Sequence, residues 1–527
     1  MTADQPGRVL IASNRGPVSF TMDDDGSVVA RRGAGGLVSG LSSVAGQASV
    51  LWVCAALSDA DRAAARSAPD GLIDLAGVDS VGDGAGSAVR MLDIPPATFQ
   101  RAYNSVANST LWFVHHMLYD TPNEPSFGPA FRREWESFRS YNAAFAAALA
   151  KGAGAGGGPR GTTTKAMIQD YHLPLVPRML AEQCPDVRIA HFSHTPWAPP
   201  DYYRLLPAEA GREVLDGILG ADHAGFLCRR WADSFVACCA EFLGAEVDPR
   251  TQTVRHRGRV TTVGVHALGV DAAELRNRAA DTDVQAHVAA LSDSTSGRQL
   301  IVRVDRTELS KNIVRGLAAY RELLVRYPEW RGRVTHLAFA YPSRHDLPEY
   351  REYTGRVQRM AAEIIDEFGT DDWDPLILQV NDDYPRSLAA YQLADVLLVN
   401  PVRDGMNLVA KEGPILAGRG CALVLSSEAG AAAELGQDAI LVNPFDVTQT
   451  AEALHQALAM PEAERERRRA ALAQAGAALP PTAWFQAQLD ALGPGGAGGG
   501  PASAPRDRQQ PQRRPGGRLA VFRRRPQ

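Results

Sequence analysis

The stretch Asn400 to Glu412, NPVRDGMNLVAKE, decides how the rest of the chain is read. It continues the apolar run Asp395-Val-Leu-Leu-Val-Asn400, whose unbroken hydrophobicity predicts a strand buried on both faces of a parallel sheet. From near Met406 the apolar positions recur at helical spacing, so the whole reads as strand, tight loop and helix. In open α/β sheets ligands sit beyond the carboxyl ends of the strands, where the first amides of the following helix point outward without partners. Gly405 lets the backbone come close there, and the N–H groups of Met406, Asn407 and Leu408 are placed to hold a phosphate. Asp404 and Glu412 flank this anion site with negative charge and suit sugar hydroxyls better. A plain strand-to-helix turn capped by Asp404 accounts for the same letters.

Outward from this stretch, other apolar runs also end in polar residues. Arg8 to Ser13 ends at Ser13-Asn14-Arg15, and Gly33-Ala-Gly-Gly-Leu-Val-Ser-Gly40 reads as a glycine-rich turn entering a helix, as a Rossmann-like half requires. Lys165 to Asp170 ends in Asp170-Tyr-His172, and Val187 to His194 in His194-Thr-Pro-Trp197. A lone histidine at a strand end is more often structural than catalytic. Tyr103 and Trp112, in YNSVANSTLW, are aromatics that the letters alone assign to a core. Trp135, Phe138, Tyr141 and Phe145 recur as a core-facing helical stripe. Gly152-Ala-Gly-Ala-Gly-Gly157 spells GxGxxG, but it follows a helix and precedes a strand, so it is a surface loop and not a dinucleotide fingerprint.

In the second half, Leu300 to Asp305 leads into Arg306-Thr-Glu-Leu-Ser-Lys-Asn312. Two cations at a strand end suit a diphosphate leaving group, which gains charge as its bond to the sugar breaks. Val334 to Tyr341 leads to Pro342-Ser-Arg344, and Leu376 to Val380 to Asn381-Asp-Asp-Tyr-Pro385. Cys421 to Ser426 and Ala439 to Val442 complete a second sheet, and Ala483 to Leu492 reads as a closing helix.

The ten residues Arg403 to Glu412 match RDGMNLVAKE, the donor motif of trehalose-6-phosphate synthases, and the chain resembles that family from about residue 8 to 492. The resemblance implies an α/β protein of GT-B architecture, two Rossmann-like domains whose parallel sheets face a central cleft. It implies transfer of glucose from a nucleoside diphosphate to glucose 6-phosphate, with retention and without a metal or other cofactor. Arg306 and Lys311 would stabilise the leaving phosphate, and His194 and Asp404 would orient the glucose. Donor contacts fall on Gly36, Tyr384, Gly405, Met406, Asn407, Leu408, Val409 and Glu412; acceptor contacts fall on Arg15, Tyr103, Trp112, Asp170 and Arg344. The expected division is 1–270 for the acceptor domain, 271–475 for the nucleotide-sugar domain, 476–492 for a helix crossing back, and 493–527 for a disordered basic tail.

The chain departs from the family pattern at Ala55, where a second tryptophan is usual, at Gln169 and Ser193, and at Glu308, Leu309 and Asn312. Three alternatives stay open: a pseudo-glycosyltransferase joining a cyclitol to an amine, favoured by Ala55 and the altered 307–312 loop but opposed by Arg15, Arg344 and RDGMNLVAKE; a non-catalytic regulatory paralogue, which would be expected to lose cations such as Arg306 or Lys311; and a nicotinamide-dependent dehydrogenase, which would need the fingerprint rejected above. The two carboxylates of Asp382 and Asp383 suit the paired N–H donors of guanine, which favours GDP-glucose over UDP-glucose. They serve equally as solvent-facing or helix-capping groups.

The totals fit this reading. The chain has 527 residues, 45% hydrophobic and 22% charged, enough for two or three ordinary globular domains. Its net charge is −5, although the segment from Gly493 onward holds eight Arg and one Asp in a Gly- and Pro-rich context. The six cysteines are scattered without metal or disulfide spacing. No membrane span or signal segment is read from the letters, so a cytoplasmic enzyme with no nucleic-acid or membrane partner is expected, as a possible homo-oligomer.

Overall fold

The computed structural model describes residues 8–22, 28–32, 50–75, 87–154, 163–344 and 347–493. Gly36 and its motif from Gly33 to Gly40, Ala155 to Gly157, and all but the first residue of the 493–527 tail lie outside the described residues. Residues 1–495 form one compact unit, and the account below concerns that unit.

Short apolar runs become strands wherever both faces are covered. Val9–Ala12 is buried at every position and pairs in parallel with Val50–Ala55 on one side and Lys165–Gln169 on the other. The sheet around it has ten strands, in the order Glu246–Asp248, Thr253–His256, Arg259–Val265, His223–Phe226, Arg188–Ser193, Lys165–Gln169, Val9–Ala12, Val50–Ala55, Ala88–Leu92 and Leu72–Asp74. Its centre is parallel, and the two edges turn antiparallel. The helix Pro129–Gly154 lays Trp135, Phe138, Tyr141 and Phe145 into the core, as its spacing predicts.

The second sheet is parallel throughout, in the order Leu376–Gln379, Val334–Tyr341, Gln299–Arg306, Val396–Val399, Ala422–Ser426 and Ile440–Val442. Numbered along the chain this is 3-2-1-4-5-6, the order of a doubly wound dinucleotide-type sheet. Chain direction around the sheet reverses between Gln299–Arg306 and Val396–Val399, so the loops after these two strands part and leave a crevice. In the first sheet the equivalent place lies between Val9–Ala12 and Lys165–Gln169. Those four loops carry Arg15, Asp170, Lys311 and Asp404.

One apolar cluster runs from the first sheet to one face of the second, and a separate cluster covers the second sheet's other face. The chain passes between the sheets at Gly269 and Val270, whose amides donate to Leu479 O and Gly476 O. The final helix, Pro481–Ala491, brings Trp484 against Phe192 and His194, and Lys165 Nζ donates to Leu489 O. Among the described residues no helix is long and apolar enough to cross a membrane.

Candidate active site

The loop after Val396–Val399 differs from its expected form. The helix begins at Val409 instead of near Met406, because Asn407 takes a left-handed φ of 80° and its Oδ1 accepts from the Ala410 amide. Leu408 is therefore the N-cap residue, Asn407 just before it supplies the side-chain acceptor for the first turn, and Asp404 does not. The amides of Met406, Asn407 and Leu408 therefore precede the helix instead of opening it. Gly405 is required for a protein contact: a Cβ there would stand 2.0 Å from His194 O, while Gly405 O accepts from Trp231 Nε1 at 2.9 Å. The motif thus binds the first half of the chain with its own backbone.

Freed from capping, Asp404 faces the loop after Gln299–Arg306. Its Oδ2 lies 2.6 Å from Lys311 Nζ and 3.1 Å from Asn407 Nδ2. Burial pushes the Asp404 carboxyl up, but Lys311 outweighs it and the net shift is downward. Burial likewise pulls the Lys311 ammonium down, and Asp404 with Asp305 reverses it. The pair is ionised, and the two loops of the crevice are clamped by it.

Two departures from the family loop acquire physical meaning here. Asn312 stands at φ 59°, a conformation asparagine tolerates better than most side chains, and its Nδ2 donates to Asn400 O and Pro444 O. Glu308 is buried, takes a hydrogen bond from Ser343 Oγ, and faces Arg306 Nη1 at 3.0 Å and Arg344 Nη1 at 4.0 Å. It collects two site cations on one carboxylate. Arg303, which the sequence reading passed over, is buried and donates from Nη2 to Lys311 O, with its Nε 2.9 Å from Asp305. Gly316 makes room for it, since a Cβ there would meet Arg303 Nη1.

Arg306 is half exposed, at 51% of its side chain, and pairs with Glu308 instead of joining the clamp. Arg344 sits at φ 46° and is held on several sides: Nη1 donates to Tyr350 OH at 2.6 Å, Nη2 to Tyr171 OH at 3.3 Å, and the guanidinium lies 4.2 Å from the Trp112 ring centre. Tyr171 and Trp112 belong to the first half of the chain, so this contact crosses the cleft.

Tyr103 and Trp112 converge by an unusual route. At 3.6 residues per turn, nine residues would set them on opposite faces. Arg101–Leu111 instead winds with the wider i→i+5 spacing, which brings nine residues to about two full turns. Tyr103 stacks on His172 at 5.4 Å, and Trp112 lies 5.6 Å from Tyr171. Arg15 is exposed on the loop after Val9–Ala12, and it and Arg344 both push the His172 imidazole down, after burial as the main cause, to about 4. The two cations therefore act on one place. Ala55 ends its strand buried, without a ring to offer the acceptor.

Asp170 adopts φ 74°, accepts from the His194 amide at 3.1 Å, and lies 3.8 Å from His172 Nδ1. His194 Nε2 is 3.0 Å from Gln169 Oε1, so the unusual glutamine of that motif orients the ring. Burial pushes the His194 imidazole down more than Asp170 lifts it, leaving it neutral. Glu412, half-buried, is raised by burial to about 7, and its charge is felt by Tyr341, Tyr384 and Tyr391. Tyr384 is 48% exposed beside it. The paired carboxylates expected for guanine do not stand side by side as free acceptors: Asp383 Oδ1 caps the helix Tyr384–Leu393 through the Arg386 amide, and of the two only Asp382 is exposed and uncommitted among the described residues. Among the described residues no group of three His, Cys, Asp or Glu is arranged to hold a metal ion.

Two sheets with parallel centres that face each other through their switch-point loops, with cations on one side of the crevice and an aromatic pocket on the other, define a retaining glycosyltransferase of the GT-B type. The model of glycosyltransferase family 20 matches residues 7–493, and the chain belongs to that family. It is 31% identical over 472 residues to an alpha,alpha-trehalose-phosphate synthase [UDP-forming] of Schizosaccharomyces pombe, covering 88% of this chain and 86% of the relative. It is also 31% identical over 488 residues to a validamine 7-phosphate valienyltransferase of Streptomyces hygroscopicus subsp. jinggangensis, covering 92% and 94%. Among solved structures, the Escherichia coli trehalose-6-phosphate protein bound with UDP-2-fluoro glucose superposes with a TM-score of 0.79 at 25% identity, covering 92% of this chain and 98% of that one.

Proposed function

We propose that the protein is an α,α-trehalose-6-phosphate synthase, transferring glucose from a nucleoside diphosphate to the anomeric hydroxyl of glucose 6-phosphate with retention. The observation that carries this reading is Arg344, a fixed cation from the second sheet that lies over Trp112 and reaches Tyr171 OH in the first. Together with Arg15 it makes a pocket for a phosphate attached to a ring, which an activated sugar alone does not require. In this reading residues 1–270 hold the acceptor and 271–475 the donor.

The chemistry follows from charge. As the glycosidic bond breaks, the β-phosphate gains negative charge, and this reading gives Lys311, Arg306 and the amides at Leu408 and Val409 the role of lowering that cost. The departing phosphate takes the proton of the acceptor hydroxyl on the same face, so the configuration is kept without a protein nucleophile. Lys311 must exchange Asp404 for phosphate, which leaves the Asp404 carboxylate to accept from glucose hydroxyls beside His194. Glu412 accepts from the ribose, and Tyr384 lies against the base.

For the base, the commitment of Asp383 to capping removes half of the argument for guanine, and two relatives named for UDP favour uridine. We take UDP-glucose as the donor. A valienyltransferase is the second reading, favoured by the near full-length similarity to one and by Ala55 in place of a ring. Incubation of the purified chain with glucose 6-phosphate and either UDP-glucose or GDP-glucose, followed by product analysis, tests all three points. Trehalose 6-phosphate formed faster from UDP-glucose is expected; a higher kcat/KM with GDP-glucose overturns the donor, and no disaccharide phosphate from either overturns the function.

A further inference from the structure

A cavity of about 580 Å³ lies behind the loop that carries Lys311, and none of the residues assigned to donor or acceptor lines it. Both halves of the chain form it: His116 and Arg230 come from the first, Arg315, Arg356, Arg403 and Glu428 from the second. Its size is that of a small-metabolite pocket.

Its charges do not balance. Glu428 serves two of the four guanidiniums, Arg230 at 2.8 Å and Arg403 at 3.4 Å. Arg315 donates only to the neutral Asn312 Oδ1 and lies 5.2 Å from the centre of the Phe445 ring. For Arg356 the structure records no hydrogen bond or ion pair among the described residues. Arg403 is buried, its side chain 6% exposed; its Nη2 donates to Trp197 O, and its Nε has no partner. Burial first, then Arg230, pushes Arg403 down to about 10, against the pull of Glu428. Of the guanidiniums only Arg403 is buried, while Arg315 and Arg356 are exposed at the cavity's rim; a buried cation is tolerated when an anion with several acceptor oxygens meets it, and guanidiniums match phosphate in particular. Besides the arginines and Glu428, the lining is mostly apolar, with Met117, Leu118, Leu309, Val314, Val402 and Phe445 beside the polar His116 and Asn312.

We propose that this cavity is a second anion site, built for a phosphate monoester whose dianion meets Arg315, Arg356 and Arg403 while its organic part lies against the apolar wall. The assignment does not rest on the reaction proposed above. Its position matters because Asn312 and Leu309 belong both to the cavity and to the turn that holds Lys311.

Calorimetric titration of the full chain with glycerol 3-phosphate, and separately with inorganic phosphate, tests the proposal without turnover. Wild type and Arg15→Ala, which removes a cation of the acceptor pocket, are expected to bind the ester alike. Arg356→Glu, a change at an exposed side chain that keeps the fold, should weaken binding at least tenfold, and Arg315→Ala should weaken it in the same direction. Binding lost with Arg15→Ala, or unchanged in both Arg356→Glu and Arg315→Ala, overturns the site. Inorganic phosphate binding as tightly as the ester overturns the monoester assignment.

Discussion

Lys311 Nζ lies 2.6 Å from Asp404 Oδ2, so the cation and the carboxylate that the proposed reaction assigns to the leaving phosphate and to the sugar neutralise each other across the crevice. Each keeps the other's buried charge tolerable until substrate replaces it. Lys311→Ala should lower kcat by about 10² to 10³ with an intact fold by circular dichroism. It should also lower the Tm, because Asp404 is left buried and unpaired; wild-type turnover in this variant removes Lys311 from the mechanism.

The two cations proposed for the acceptor phosphate differ in how firmly they are held. Arg15 is exposed, whereas Arg344 is fixed by Tyr350, Tyr171 and Trp112. Each charge-assisted contact contributes about 1.5 to 3 kcal/mol, so either alanine variant should raise the KM for glucose 6-phosphate by roughly tenfold or more and the donor KM far less. Arg344→Ala should in addition destabilise the chain, and Arg15→Ala should not. Initial-rate kinetics in both substrates, with melting curves, separate the two.

Glu412 supplies a pH dependence. Its carboxyl is raised from 4.5 to about 7, so between those values the folded chain keeps a proton that the unfolded chain releases, and stability falls as pH rises through this window. Binding follows the opposite course, since the ionised form is the better acceptor for ribose hydroxyls. Donor kcat/KM should therefore rise with an inflection near pH 7, and Glu412→Gln should flatten both profiles. An inflection that persists in the variant assigns it to another group.

Gly405→Ala places a methyl group 2.0 Å from a backbone oxygen, and neither backbone has a flexible end to yield. Overpacking of this kind costs about 1 to 3 kcal/mol, and here it displaces Asp404 from Lys311 as well. A loss of at least tenfold in kcat is expected together with a lower Tm.

Much of this was legible because strand ends announce themselves. Val334–Tyr341 has the bounds its letters predict, and the loops that follow the strands carry the polar residues the fold brings to the cleft. What escaped depends on side chains competing for backbone. The helix start moved to Val409 because Asn407 left the helical region and gave the first turn the side-chain acceptor that Asp404 was expected to supply. Asp383 went the other way, spending on its own helix the carboxylate expected for a guanine. The convergence of Tyr103 and Trp112 depends on i→i+5 winding, which hydrophobic periodicity does not report. Arg303 looked like one polar letter in an apolar strand, although its pairing with Gly316 thirteen positions on was a size complementarity present in the letters.

The helix Pro481–Ala491 places Trp484 against His194, and this sets an order of events during synthesis. The wall on which His194 leans is synthesised long after the histidine itself, so the nascent first half emerges with that side of its cleft bare. A chain cut short upstream of residue 481 keeps the strands of both sheets but lacks the Trp484 ring that backs His194.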